Sequence, residues 1–114
     1  MKLVTLSQAK EFKNSDTCIA TEYPLDDKDI NGAVIKLSGR YPEKGYVTNT
    51  VCKELAYVIE GSGTVATADE TQNLHQGDLV LLLPGERYYF EGTLTMFMPC
   101  SPAWYPEQHQ QIDL

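Results

Sequence analysis

Glu54 is the residue of this chain best placed to do chemistry, because it stands in the strand-like stretch TVCKELAYVIEGSGTV. Side chains along a β-strand alternate between two faces, so Thr48, Thr50, Cys52 and Glu54 are predicted to share one face. If that face points into a barrel, Cys52 and Glu54 both enter it, and a bulge between them would bring in Asn49. A carboxyl group in such a place can accept hydrogen bonds from a bound molecule or act as a base.

The elements that must position these side chains are short strands separated by turn signals such as DDKDING, YPEKG, HQGD and PGE. Helix is expected only as one turn in SQAKEF, with Ser7 as its cap. Three prolines between residues 99 and 106 exclude a regular helix or central strand there, so the tail is predicted to pack irregularly on the barrel. The predicted strands cover residues 17–23, 33–39, 46–50, 54–60, 64–68, 71–74, 79–83, 88–91 and 93–98. This succession predicts an all-β sandwich or barrel.

The size and charge of the chain narrow the classes of partner. Its 114 residues fit one domain, and the formal net charge is −7. Nucleic acids and anionic membranes both require a positive protein surface, so neither is expected as a partner. Three widely spaced cysteines and the absence of an apolar leader or spanning segment predict a cytoplasmic protein with reduced thiols.

Two stretches, GYVTNTVCKELAYVIEGSG and GDLVLLLPGERYYFEG, resemble the two motifs of the cupin superfamily. The resemblance implies an all-β fold, the cupin-type double-stranded β-helix or jelly-roll barrel. It implies a single cupin domain over 1–114, made of an N-terminal strand and turn segment 1–30, a barrel 31–98 and a proline-rich tail 99–114. Glu54 falls at the position of the motif glutamate. Gly61, Gly63, Gly77, Asp78 and Gly85 match motif positions as well, and Gly61, Gly63 and Gly85 are expected at turns.

The metal-ligand positions depart from the cupin pattern. The His-x-His pair falls at Thr48 and Thr50, or at Val47 and Asn49 with the other spacer, and the second-motif histidine falls at Tyr88. First-row transition metals in proteins depend on imidazole ligands, so we expect no metal and no other cofactor. If a metal were present, Glu54 with Asn49 or Cys52 would hold it. The only histidines, His75 and His109, are expected to be solvated.

The sequence therefore predicts a ligand pocket inside the barrel. Lys53 and Arg87 should point away from it, so desolvation should raise the pKa of Glu54, and a hydrogen bond from Tyr88 should oppose that rise. Aromatic residues, among them Tyr41 and Trp104, cluster near the expected mouth of the barrel, where most should serve as core or interface. The predicted pocket residues are Thr48, Asn49, Thr50, Cys52, Glu54, Tyr88 and Phe90.

Three functions remain open at this point. The first is a metal-free module that binds a small polar metabolite. The second is an enzyme with isomerase-like or epimerase-like acid–base chemistry on a sugar derivative, with Glu54 as base and Tyr88 as acid. The third is a metal enzyme with an unusual ligand set. A homodimer is also expected, because small jelly rolls leave edge strands that pairing can cover.

Overall fold

The computed structural model describes residues 1–112 as a curled sheet of nine strands with two single turns of 3-10 helix. The two helical turns are Leu6–Gln8 and Pro106–Gln108, so helix is as scarce as the sequence predicts. No helix among the described residues is long and apolar enough to cross a membrane. The strands are β1 (Lys10–Lys13), β2 (Cys18–Glu22), β3 (Asn31–Tyr41), β4 (Tyr46–Asn49), β5 (Lys53–Thr67), β6 (Thr71–His75), β7 (Leu79–Leu82), β8 (Arg87–Ser101) and β9 (His109–Ile112).

Strand β8 is the centre of the sheet. It pairs antiparallel with β3 along one edge and with β5 along the other, and β1 and β2 extend the β3 side. The start of β8 also pairs with β4, which pairs in turn with β9, while β6 and β7 both pair with β5. This jelly-roll arrangement confirms the all-β, cupin-type barrel predicted from the sequence.

The prediction of turns at Gly61 and Gly63 is wrong, because β5 runs through both glycines without a break. Gly61 has a positive φ of 92°, and a Cβ built on it would collide with the carbonyl oxygen of Thr93 on β8. These glycines therefore allow β5 and β8 to approach closely within the sheet, just beyond a register shift between Val58 and Glu60. Glycine is favoured both at a tight turn and where two strands approach closely, so a glycine in the sequence does not distinguish the two.

The core lies between the inward faces of the long strands. Alternate residues of β5 and β8 are buried, among them Val58, Leu94 and Met96, each no more than 2% exposed. This period of two is the pattern of a sheet with one face inward; it runs along most of β8, and in β5 it extends from Lys53 to Val58.

Two strands, β1 and β9, are absent from the sequence-based prediction. Their sequences, KEFK and HQQI, carry few apolar residues, and they join the sheet at its edges through backbone pairing. The sheet thus takes strands from all three predicted segments: 1–30, 31–98 and the described part of the tail. Residues 113 and 114 of that tail lie outside the described residues.

Candidate functional site

A cavity of about 240 Å³ lies inside the barrel, between β2, β3, β5, β8 and the C-terminal segment. Its wall is mostly apolar, with Ile35, Leu37, Phe90 and Met96 among its residues. A few polar groups converge on it, which is the usual composition of a small-molecule site.

The carboxyl group of Glu54 is the most buried acidic group on the cavity wall. Glu54 is 9% exposed, and in the sheet it stands opposite Leu82 of β7 and Cys100 of β8. Its Oε1 accepts hydrogen bonds from Asn49 Nδ2 at 3.0 Å and from Tyr88 Oη at 3.3 Å. Its Oε2 accepts one from Cys100 Sγ at 2.9 Å. Three uncharged donors therefore surround this carboxyl.

The contact between Glu54 and Tyr88 depends on the curvature of the sheet. Tyr88 and Cys100 lie twelve positions apart on β8, about 40 Å along an extended strand at roughly 3.3 Å per residue. Both nevertheless reach the carboxyl of Glu54. The strand must therefore curl around the cavity, so that its two ends meet across the interior.

Asn49 connects this cluster to the C-terminal segment. Its Oδ1 accepts hydrogen bonds from Gln108 Nε2 at 2.9 Å, His109 Nδ1 at 2.9 Å and Trp104 Nε1 at 3.2 Å. The indole N–H can only donate, so the oxygen of Asn49 must face Trp104 and its amide nitrogen must face Glu54. The orientation of Asn49 is therefore fixed by its partners.

His109 and Tyr41 form a second polar pair on the same cavity wall. Because Asn49 Oδ1 is an acceptor, His109 donates through Nδ1, and its Nε2 accepts the hydroxyl proton of Tyr41 at 3.2 Å. The two rings also stack, with centroids 6.5 Å apart. Burial lowers the pKa of His109 and raises the pKa of Tyr41 to about 12, so both side chains are neutral near pH 7. A hydrogen-bond chain thus runs from Tyr41 through His109 and Asn49 to Glu54.

Gln108 fastens the C-terminal segment to the loop before β5. It is 2% exposed, and its Oε1 accepts the backbone N–H groups of Val51 and Cys52 at 3.2 and 3.1 Å. Its backbone oxygen accepts both the N–H and the hydroxyl of Thr50. The tail therefore forms part of the site wall.

Desolvation sets the protonation of the Glu54 cluster. Burial raises the pKa of Glu54, and the hydrogen bonds from Cys100, Asn49 and Tyr88 oppose that rise. Burial and the neighbouring Glu54 raise the pKa of both Tyr88 and Cys100, so these groups stay protonated and donate. Lys53 and Arg87 are both exposed, so neither offsets the charge of Glu54.

The structure brings some of the predicted pocket residues to the cavity and leaves others away from it. Glu54, Tyr88 and Phe90 line the wall, and Asn49 lies directly behind Glu54. The remaining three, Thr48, Thr50 and Cys52, are not among the cavity-lining residues.

Each of those three has a different environment. Thr48 is buried, and its Oγ1 has no hydrogen-bond partner among residues 1–112. Thr50 is exposed and bonds to Gln108, because the chain leaves strand geometry after β4. Cys52 is fully buried, and its thiol faces the backbone oxygen of Ala103 at 3.9 Å. The regular alternation assumed across residues 48–54 stops at the loop between Asn49 and Lys53.

Three functional residues were absent from the sequence-derived set: Cys100, Gln108 and His109. The expectation of a solvated His109 is wrong, because β9 pairs with β4 and turns the ring inward against Tyr41. His75 is exposed, in the turn with Asp78, as expected. The tail carries Trp104 and Gln108, and a tail that does not pack on the rest of the protein seldom carries a tryptophan. These two residues were the signal in the sequence that the tail packs on the site.

The donor set around Glu54 does not fit a first-row transition metal. Among residues 1–112, no three His, Cys, Asp or Glu side chains are grouped to hold a metal ion. Asn49 presents its amide nitrogen to Glu54, and Cys52 faces away, so neither expected partner offers a ligand atom beside the carboxylate. Three of the roughly four lone-pair positions of the carboxylate are already taken by donors, so one is left for a further partner.

The sequence of this chain matches a known family of protein domains. The family model of the AraC-like ligand binding domain matches residues 31–94, more than half of the chain. No curated protein sequence matches.

Several solved structures share the fold. A structure of Pac13, a nucleoside dehydratase from Streptomyces, is 18% identical with a TM-score of 0.88, covering 100% of this chain and 92% of that one. Ectoine synthase from P. lautus is 16% identical with a TM-score of 0.74, covering 98% and 90%. Oxalate decarboxylase from Bacillus subtilis is 17% identical with a TM-score of 0.82, covering 98% of this chain and 32% of that one. At these identities the likeness is one of fold.

Proposed function

We propose that this chain, which belongs to the AraC-like ligand binding domain family of cupin-type barrels, binds a small polar metabolite in its barrel without the usual metal. The observation that carries the proposal is the buried carboxyl of Glu54, which lies on the cavity wall among uncharged donors. Burying an acidic group costs free energy, and groups of this kind are concentrated at binding and catalytic sites.

The size and composition of the cavity support a small ligand. The volume of about 240 Å³ is small for a ligand pocket. The apolar wall supplies contact area, and Glu54, Tyr41 and Trp104 supply orientation. One fold neighbour, Pac13, has been seen with uridine, which is a small polar molecule.

A ligand screen by thermal shift tests this proposal. A ligand present at a hundred times its Kd stabilises the folded state by about 2.7 kcal/mol, which is readily measured. Glu54→Gln preserves shape and should weaken a ligand found in this way by about 1.5–3 kcal/mol if the carboxyl meets a donor. Glu60→Gln is the matched control, because Glu60 is exposed on the same strand. Equal loss in both variants would contradict binding at Glu54.

Absence of a transition metal is a separate part of the proposal. It rests on the types and orientations of the side chains around Glu54. Elemental analysis of purified protein should give far less than one iron, manganese, nickel or zinc per chain. Near-stoichiometric metal that disappears in Glu54→Gln would overturn this part.

A second candidate function is acid–base catalysis in the same cavity. Tyr88 Oη donates a hydrogen bond to Glu54 Oε1 at 3.3 Å, so the acid–base pair predicted from the sequence does not flank a substrate carbon. The Tyr41–His109 pair supports catalysis better, because the neutral imidazole accepts a hydrogen bond from the Tyr41 hydroxyl and can act as a base through that hydroxyl, which lies on the cavity wall. Turnover of a bound neutral sugar or nucleoside, lost in His109→Gln while binding persists, would favour this function.

We also propose a homodimer formed through the outer face of the sheet. Leu55 lies opposite Leu81, and Tyr57 lies opposite both Leu79 and Phe97, so five exposed apolar side chains are contiguous across β7, β5 and β8. Such a patch on a small protein is typical of an interface. Light scattering should give about twice 12.8 kDa, and Tyr57→Lys should give the monomer mass.

A further inference from the structure

The described lining of the cavity contains acidic side chains and neither lysine nor arginine. Two carboxyl groups, Glu22 and Glu54, belong to its lining, and no lysine or arginine of residues 1–112 does. The one imidazole, His109, is held as a neutral tautomer by Asn49 and Tyr41. An anionic ligand would therefore meet no positive partner and would be repelled.

Glu54 in particular has no counter-ion among residues 1–112. The ion pairs found within residues 1–112 join Lys13 to Asp16 and His75 to Asp78, both on the surface. A carboxylate nine-tenths buried without a cation is costly, even when neutral donors satisfy its oxygens. A ligand that brings a positive charge would remove that cost, whereas a neutral ligand would leave it in place.

The cavity wall also offers aromatic rings. Five aromatic side chains line it: Tyr23, Tyr41, Tyr88, Phe90 and Trp104. Aromatic faces attract ammonium groups, and the attraction is stronger when the contact is desolvated. A carboxyl group with several aromatic rings is the combination that recognises organic ammonium ions, and metal ions do not require the rings.

We propose that the cavity binds an organic monocation, a primary or N-methylated ammonium compound, with its ammonium group against Glu54 and its carbon atoms against the aromatic wall. This inference rests on the proposed ligand-binding function and names the class of ligand for the same site. The raised pKa of Glu54 agrees with this proposal. Burial destabilises the charged carboxylate, and an incoming cation would stabilise that charged form.

Four probes of one shape and different charge test the inference by calorimetric titration. Neohexylamine and choline carry a positive charge, neohexanol is uncharged and tert-butylacetate is an anion. We expect the better of the two ammonium probes to bind at least tenfold more tightly than neohexanol, and tert-butylacetate to show no binding. Uridine serves as a larger neutral probe.

Two variants locate the preference. Glu54→Gln should reduce the ratio of ammonium to neohexanol affinity at least tenfold, while Glu60→Gln, which removes the same formal charge from the surface, should leave the ratio unchanged. Trp104→Leu should weaken the ammonium probes more than neohexanol, because it removes a ring from the wall.

The outcomes separate this inference from the proposed function. If neohexanol or uridine binds as tightly as the ammonium probes, or tert-butylacetate binds best, the inference is overturned while small-molecule binding stands. If the ammonium preference persists in Glu54→Gln, the positive charge is recognised elsewhere, and the inference is equally overturned. If no probe and no compound of the thermal-shift screen binds, the proposed function fails together with it.

Discussion

Replacing Asn49 with leucine should be among the most damaging single changes in this protein. Asn49 is 1% exposed and takes part in four hydrogen bonds, three received by Oδ1 and one donated to Glu54. Leucine has the same branched arrangement of four side-chain heavy atoms and a larger volume, so Asn49→Leu removes these bonds without leaving a cavity. The substitution therefore measures the loss of the hydrogen-bond network together with the cost of fitting a larger side chain.

The magnitude follows from the surroundings of each partner. A hydrogen bond contributes about 1 kcal/mol net, and a buried donor left without a partner costs about 1–3 kcal/mol. Gln108 is buried and would lose the acceptor of its amide, whereas His109 and Trp104 are partly exposed and can turn to water. We therefore expect the free energy of unfolding to fall by about 3–5 kcal/mol.

Urea denaturation followed by tryptophan fluorescence measures this loss, since Trp104 is the only tryptophan and a direct partner of Asn49. With a urea dependence of about 2 kcal/mol per molar, the midpoint should fall by about 2 M. Asn73→Leu, on the exposed face of β6, is the matched control and should change the midpoint little. A fall below about 0.5 M in Asn49→Leu would refute the view that Asn49 joins the tail to the site.

Three further substitutions test other parts of the structure. Glu54→Gln should abolish a decline in the free energy of unfolding that the wild type shows as the pH rises above about 4.5. Burial raises the pKa of this carboxyl in the folded state, so its charged form costs stability there. Urea titrations at pH 4 and pH 8 measure the decline. Tyr88→Phe should cost about 1 kcal/mol in the same titrations, and the cost should be larger at a pH where the carboxyl is ionised, because the charged group needs its donor more. Gly61→Ala should destabilise by about 2 kcal/mol more than Gly77→Ala, because both glycines have φ near 90° but only Gly61 has a backbone oxygen, that of Thr93, in the way of a Cβ; equal thermal losses would contradict the close approach of β5 and β8.

The sequence predicted the barrel because the information needed is local. The alternation in ELAYVIE and in TLTMFM is a direct record of one buried face, and it is visible without knowing what covers that face. The same reasoning assigned Glu54 and Cys52 to one face of a strand, and both side chains are buried. Only Glu54 lies on the cavity wall, because strand β5 begins at Lys53 and Cys52 still belongs to the loop.

The rest of the site depends on contacts between segments far apart in the chain. His109 is sixty positions from Asn49, and no periodic pattern in HQQI indicates that this segment pairs with β4. Cys100 reached the site because β8 continues past Pro99 instead of ending at Met98, and a proline inside a strand argues against such continuation. Pairing partners of this kind are decided by packing and closure of the barrel, which local sequence patterns do not record.

Glu54 shows how a barrel of this type can hold a buried carboxyl group when other residues stand at the histidine positions of the cupin pattern. In the cupin pattern, imidazoles surround the glutamate, and here Asn49 and Tyr88 stand at two of those positions under one of the two spacings. Each directs a hydrogen-bond donor, and not a lone pair, at Glu54 Oε1. A metal ion needs lone pairs from its ligands, whereas a carboxylate needs donors, so Asn49 and Tyr88 are oriented to bind the carboxyl of Glu54 and not to bind a metal ion beside it. Their donors hold Glu54 in place but bring no positive charge, and that charge is what the proposed ammonium ligand would supply.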